Sequence, residues 1–507
     1  MLSKEFLLKE YQTAKDIASK SIQQKRYNKS IAYYRYAARI AWQYPILHEF
    51  CDDDIEENIY AITQKISYEI SILPDKSAGV VLYSSWLGDN NALIEQYLYY
   101  FIERNIKVLL IVPDKKAIRN AAYLMSRIQN ASNVKLFIPE IKSSTHKIQA
   151  IRKAIAEFSP EKIFLHFFPN DVVGFASFCG IKGVNRFFIN HGDHVFSLGK
   201  KCADYFIEFR KFGIALSSER RGIDLNKILH IPFYPINNKT TFNGFPFETK
   251  DKVIAISGAS LYKYYMDKEL SYFKVIARLL KENENLMFCL CGSGNPDKIQ
   301  QIFIENTVAD RFYYLGQRND FYALVGKCDI LFESYPFKGG LVMLFAISQN
   351  IPVVGITKAD SSSGSIQDFL NIHDYTEPTN LDEFYIKAAE LIQSNEERNK
   401  LAKILSENQL NYNSFTEKLD LLMKDNIEIL HPDISDYKLL LDDAIYLDEY
   451  LNLPAADLST LYHDKLFLIK NQLAVKERIS LSIYLLKNTK INLKKIIRYT
   501  ILGLFGV

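Results

Sequence analysis

The chain has little cysteine: six residues in 507, at 51, 179, 202, 289, 291 and 328, with no repeated CxxC spacing. That excludes a disulfide-stapled scaffold and a cysteine-based zinc module. Most of the six lie in apolar runs and read as reduced core residues of a cytoplasmic protein. No run of about 20 apolar residues occurs, which excludes an obvious membrane-spanning helix. The start, MLSKEFLLKEYQ, carries a charge every few residues and lacks the apolar centre of a signal peptide. Excess charge is also missing. A formal net charge of +3 does not by itself imply a nucleic-acid partner. No acidic triplet of the DxD kind closes a strand in the first half, so no metal site is expected. The acids of CDDDIEEN (51–58) read as a helix N-terminus instead.

What is present is ordinary for a globular protein: 48% hydrophobic and 24% charged residues, with 32 tyrosines and 33 phenylalanines. The length implies at least two domains. Residues 1–75 have helical periodicity and almost no glycine or proline; Ile31, Tyr34, Ala38 and Ala41 share a face, predicting a helical cap. From residue 78 short β-rich runs alternate with amphipathic ones. Strands are predicted at 79–84, 107–112, 134–138, 162–168 and 186–189. Such alternation indicates parallel strands with crossover helices, and the near-continuous apolar strands fit a sheet covered on both faces. The stretch 232–252, with three prolines and little periodicity, reads as a linker. A second alternating block follows, with strands at 253–257, 286–291, 312–315, 329–333 and 352–356. Helices then fill about 381–428.

The expected architecture is therefore α/β: a cap (1–75), two Rossmann-like domains (76–240 and 250–430) and a helical tail (431–507). Ligands of such folds bind at the carboxyl ends of the strands, in the cleft between the domains. The tail ends in LLKNTKINLKKIIRYTILGLFGV, which has five basic residues and no acid. It reads either as a basic amphipathic segment on an anionic membrane surface through 481–507, or as a helix packed on the body with a solvated basic edge.

Several short stretches could carry chemistry. In SGASLYKYY a strand ends near Ser257 and Gly258, and a small-residue loop leads to Lys263, a point charge suited to a diphosphate. CLCGSGNPD ends a strand at Gly292 and Gly294, where backbone can approach a phosphate closely; a plain tight turn reads the same way. In CDILFESYPFKGG a buried strand ends at Glu333, a loop with Pro336 follows, and Gly339 and Gly340 open an apolar helix. Such a helix start exposes N–H groups and the positive dipole end to an anion. The serine-rich loop 355–370 offers Ser363 and Asp368 to a sugar or ribose. INHGDHVFSLGK places His191, Asp193 and His194 where a strand should end, in a chain with nine histidines.

These stretches together resemble GT-B-fold glycosyltransferases, and among them the bacterial glucosyltransferases of high-molecular-weight adhesins, relatives of the O-linked N-acetylglucosamine transferases. The resemblance covers roughly 185–370, through INHGDHVFSLG, Asp320–Leu324, CDILFESYPFKGG and SSSGSIQDFL, with likeness of fold from 78 to 428. It implies a nucleotide-sugar donor, a UDP-sugar above all, and no separate cofactor. It implies an active-site histidine in Asn190–His194, a diphosphate contact from Lys263, and a nucleotide held by Pro336–Gly340. One departure stands out: the family carries Asn and Thr after its aromatic-glycine step, where this chain has Lys338-Gly339-Gly340-Leu341. A transferase so built moves a sugar to a protein or surface-glycan acceptor, with a histidine activating the acceptor and Lys263 meeting the leaving diphosphate without a metal. Two alternatives remain open at this point. A sugar-nucleotide epimerase would need more strand-end carboxylates than Glu333. A non-catalytic partner subunit would tend to lose its diphosphate residues.

Overall fold

The computed structural model describes residues 2–488, except 74, 76, 90–92, 237–239, 358–365, 371, 373–374, 410, 436, 452, 454–455 and 470–471. Two parallel sheets form its frame. The first holds β1 (Val80–Ser84), β2 (Val108–Ile111), β3 (Val134–Phe137), β4 (Lys162–His166), β5 (Asn185–Ile189), β6 (Tyr205–Glu208) and β7 (Ile228–His230), in the order β3-β2-β1-β4-β5-β6-β7. The second holds β8 (Val253–Gly258), β9 (Leu286–Cys291), β10 (Phe312–Gly316), β11 (Ile330–Phe332) and β12 (Val353–Val354), in the order β10-β9-β8-β11-β12. Every residue of β1, β4, β8 and β9 is buried, as strands covered on both faces must be. The ten predicted strands are all found. β6 and β7 extend the first sheet beyond the five strands expected of it, between the last of these and the linker.

Strand order reverses between β1 and β4 in one sheet and between β8 and β11 in the other. Ser84 pairs with His166 at the first of these switch points, so the last residues of β1 and β4 stand side by side. Crevices open at such points because the crossover helices leave to opposite faces.

The N-terminal helices Lys4–Gln23, Tyr27–Gln43 and Asp53–Ile66 pack on one face of the first sheet. The acids of CDDDIEEN do start a helix: Asp52 caps it by accepting from Ile55 N at 2.8 Å. Glu56 of that helix accepts three backbone N–H groups, from Gly199, Lys200 and Lys201, at 2.7, 3.1 and 2.6 Å. The cap is thereby fastened to the segment that follows the two histidines.

The second block ends with helices Leu381–Gln393, Asn395–Glu407 and Tyr412–Met423. The last of these lies against the first domain. Asp420 accepts from Tyr100 of helix Leu93–Glu103 and from Arg104 just past its end, each at 2.7 Å, and Phe415 packs on Tyr97 and Tyr234. The tail is helical as expected, over Asp443–Leu451, Leu458–Ile469 and Val475–Asn488. Helix Leu458–Ile469 packs on the cap, with Arg39 paired to Asp464 at 2.8 Å and Lys465 to Glu10 at 3.2 Å. No helix among the described residues is long and apolar enough to cross a membrane. All six cysteines are free and buried.

Candidate functional site

The site is built from the carboxyl ends of both sheets. On the first-domain side β5 ends at Ile189 and the chain turns through Asn190–Val195. This turn is held by its carbonyls. Arg221, buried, donates to the oxygens of Gly192, Asp193 and Val195 at 3.0, 3.2 and 2.7 Å. The oxygen of His194 accepts from Tyr446 Oη, which comes from the tail helix Asp443–Leu451. Asn190 donates to Glu208 at the end of β6, at 2.7 Å. Four successive carbonyls fixed by two side chains leave the loop little freedom, which is what precise placement of a catalytic ring requires.

Asp193 is buried and does not act as a base. Arg210 grips it through Nε and through Nη2, the latter 2.9 Å from Oδ1. Burial alone would raise its pKa; the Arg210 guanidinium overrides this and holds the carboxyl well below the usual carboxylate range. The same Oδ1 lies 3.0 Å from His194 Nδ1. A permanently ionised Asp193 fixes the proton on Nδ1 and leaves Nε2 as the basic nitrogen of His194.

His191 differs. Its side chain is exposed to the cleft, while the surrounding walls enclose it, and its ring meets Trp86 edge-on at 4.6 Å. That enclosure and the nearby His194 lower its pKa to about 4. His191 is therefore an uncharged imidazole at neutral pH. Behind it His166 is fully buried, 5.4 Å from His191 and 4.3 Å from Trp86 between ring centroids, with Nδ1 3.1 Å from Ser84 Oγ. Among the described residues His166 Nε2 has no hydrogen-bond partner. Trp86 stacks on Phe168 at 4.0 Å, completing an aromatic wall.

On the second-domain side β8 delivers Ser257 and Gly258, and the turn after it delivers Lys263. Ser257 is fully buried, its hydroxyl 2.7 Å from Tyr264 Oη, so it braces the turn. A Cβ on Gly258 would lie 2.7 Å from Phe321, which explains the glycine. Gly292 and Gly294 end β9 beside this turn: Leu261 N donates to Ser293 O at 2.9 Å, and a Cβ on Gly292 would lie 1.8 Å from Ala259 O. Lys263 Nζ reaches the loop after β11, donating to Lys338 O at 2.9 Å and standing 5.0 Å from the Phe337 ring centre. Burial lowers its pKa to about 8.

Pro336 follows a cis peptide bond, and Gly339 caps the helix Gly340–Ile347 without any side-chain hydrogen bond. A Cβ on Gly339 would lie 3.6 Å from Lys263 Nζ, so lysine and helix start share one spot; a Cβ on Gly340 would lie 2.4 Å from Phe369. Lysine charge, bare N–H groups and the positive end of a helix thus converge.

Lys338, which replaces the hydroxyl-bearing step of the resembled family, turns inward. It lies 2.6 Å from Glu377, 2.8 Å from Thr357 Oγ1 and 3.5 Å from Glu333. Burial raises Glu333 to about 7 against the opposing pull of Lys338. Asp368 is buried and faces Arg210 and Tyr437; burial raises it to about 7. It therefore joins the domains instead of lining an open sugar site. Ser363 lies outside the described residues.

The structure thus gathers Lys263, Gly339, Gly340, Pro336 and Glu333 at one place and His191, Asp193 and His194 facing it, with Gly292 and Gly294 supporting the turn. The sequence reading missed Trp86, His166, Arg210, Phe337, Glu377 and Tyr446. His166 had a usable signal, since FLHFFP puts a histidine at a strand end just as INHGDH does.

No protein-family model matches the sequence, and no curated protein is significantly similar to it. Solved structures do match in fold. Anabaena HepE bound to UDP superposes with a TM-score of 0.51 at 13% identity, over 68% of this chain and 100% of that one. The same protein with UDP and glucose gives 0.50 at 14% over the same shares. A mutant O-GlcNAc transferase of Thermobaculum terrenum gives 0.50 at 12%, over 83% of this chain and 85% of that one. The fold is GT-B: two parallel α/β domains facing each other across a cleft.

Proposed function

We propose that this protein is a glycosyltransferase that moves a sugar from a UDP-sugar to a protein or surface-glycan acceptor at the cytoplasmic side of a membrane. One observation carries the reading: the histidine loop and an anion side face each other across one aromatic ring, His194 and Lys263 both contacting Phe337. In sugar transfer the leaving diphosphate gains negative charge while the acceptor loses a proton. Lys263 and the N–H groups at Gly339 and Gly340 meet the first demand electrostatically, with no metal in the scheme. His191, held uncharged, meets the second as general base, and the Asp193-oriented His194 stands on the donor side of it. Fold alone does not select this chemistry; the UDP carried by HepE and the transferase activity named for the Thermobaculum protein support the choice.

The test is thermal unfolding against UDP, GDP, ADP and CMP, each with and without EDTA. A ligand that binds only the native state raises the midpoint. The expected result is a rise with UDP that ignores EDTA and is lost in Lys263→Ala. No rise with any nucleotide would overturn the transferase reading in favour of a non-catalytic partner subunit. A rise abolished by EDTA would overturn the metal-free scheme.

A further inference from the structure

The turn joining the first two cap helices carries Lys25 and Arg26, and Lys29 follows one turn on. With Lys65 they line an open cavity of about 740 Å³ between the cap and the start of helix Ser144–Phe158. No acid lines it. Among the described residues none of the four cations forms a salt bridge with a neighbouring acid. Four cations around an open cavity with no acid among them present a positive field to an incoming anion.

The cavity wall also contains Gln472 and Leu473, and two residues later helix Val475–Asn488 begins. One side of that helix is buried through Arg478, Leu481, Ser482 and Leu485. The other presents Val475, Ile479, Ile483 and Leu486, which are 49%, 43%, 46% and 41% exposed. At 3.6 residues per turn these four fall within about 80° of arc, and Lys476 and Lys487 lie just beside them. A stripe of apolar side chains with lysines along one edge is the surface an interfacial helix offers to lipid. Glu477 is the last acid in the sequence; after it come Lys490, Lys494, Lys495 and Arg498 among isoleucines and leucines.

We infer that the cap cavity and the stripe on helix Val475–Asn488 form one docking surface for an anionic bilayer, the cavity taking a phospholipid phosphate and the stripe entering the interface. The apolar stripe selects a bilayer over an acidic protein because its charge partners are all basic and lie at its edge, where headgroups would be. The surface shares no residue with the cleft between the sheets, and on the transferase reading it brings the cleft to an acceptor held at the membrane.

The full-length protein is sedimented with vesicles of phosphatidylcholine alone and with vesicles rich in phosphatidylglycerol. Binding to the anionic vesicles only, weakened by salt, is expected. Lys25→Glu/Arg26→Glu/Lys29→Glu should reduce it by about tenfold or more, and Ile479→Asp/Ile483→Asp should do the same. These residues are at the surface, so an unchanged unfolding midpoint confirms that each variant is folded. Equal binding to neutral vesicles, no binding to either, or wild-type binding by both variants would overturn the proposal. So would a midpoint rise with inorganic phosphate that the cap variant loses while vesicles are ignored, since that would make the cavity a site for free phosphate. Vesicle binding needs no nucleotide, so it stands or falls independently of the transferase reading.

Discussion

His194 meets Phe337 edge-on across the cleft, ring centroids 5.8 Å apart and planes at 60°. The two residues belong to different domains, and Lys263 approaches the same ring at 5.0 Å. Phe337 is thus the shared wall of the two halves of the site. A cation over a ring is worth about 0.5–2 kcal/mol, so Phe337→Ala should weaken UDP binding by about two- to thirtyfold, read by calorimetry. Phe337→Leu should recover thermal stability without recovering affinity. Recovery of both would mean that the ring acts by packing alone.

The two histidines should separate in kinetics. His191→Gln is expected to lower UDP-sugar turnover by about 10²–10⁴ while the UDP-induced midpoint shift is retained. A base must be uncharged, and the His191 pKa is lowered to about 4. The wild-type rate should therefore hold as pH falls through the ordinary imidazole range and decline only below about pH 5. An inflection near the ordinary value that persists in His194→Gln would remove His191 from the role.

Tyr446→Phe deletes one hydroxyl and leaves the His194 carbonyl without its donor. A buried acceptor so stranded costs about 1–3 kcal/mol, which differential scanning calorimetry would register. Turnover should fall as well, with UDP affinity unchanged, because the Tyr446 hydroxyl braces the histidine loop and not the diphosphate site. Unchanged turnover in a destabilised variant would confine Tyr446 to stability.

Glu208 predicts a pH effect on stability. It is fully buried, accepts from Asn190 and Ser217, and burial raises its pKa to about 8. The folded state then holds a proton that the unfolded state releases near pH 4.5. Stability from this group is full below that value and is lost as pH rises toward about 8. Glu208→Gln should melt like wild type at pH 5 and higher than wild type at pH 8–9. A lower midpoint at both values would show that the carboxylate form is the one the fold uses.

The frame was legible because its strands are unbroken apolar runs, and such runs are forced by burial on both faces. β6 and β7 escaped because DYFIEF mixes acids with its apolar residues and ILH is only three residues long, close before Pro232; the pairing of β6 with β5 and of β7 with β6 supplies what local pattern lacks. The meeting of Lys263 with Gly339 and Gly340 was legible because strand carboxyl ends of one parallel sheet open on one edge. Tyr446 was not, since it meets His194 across 252 residues and nothing local marks the contact. Lys338 could be seen as a departure, yet its destination, Glu377, depends on a loop 39 residues away.

The return of helix Tyr412–Met423 to the first domain means that the backbone spans the cleft twice, at the linker after β7 and again before this helix. Two tethers leave a pair of bodies essentially one soft motion, a swing about the line through both tethers, as for a door on two hinges. The tail adds a latch on the open edge: Tyr450 packs on Phe337 while its neighbour Tyr446 holds the His194 loop. A swing that widens the cleft between His194 and Phe337 therefore has to part aromatic contacts made far along the chain from either sheet.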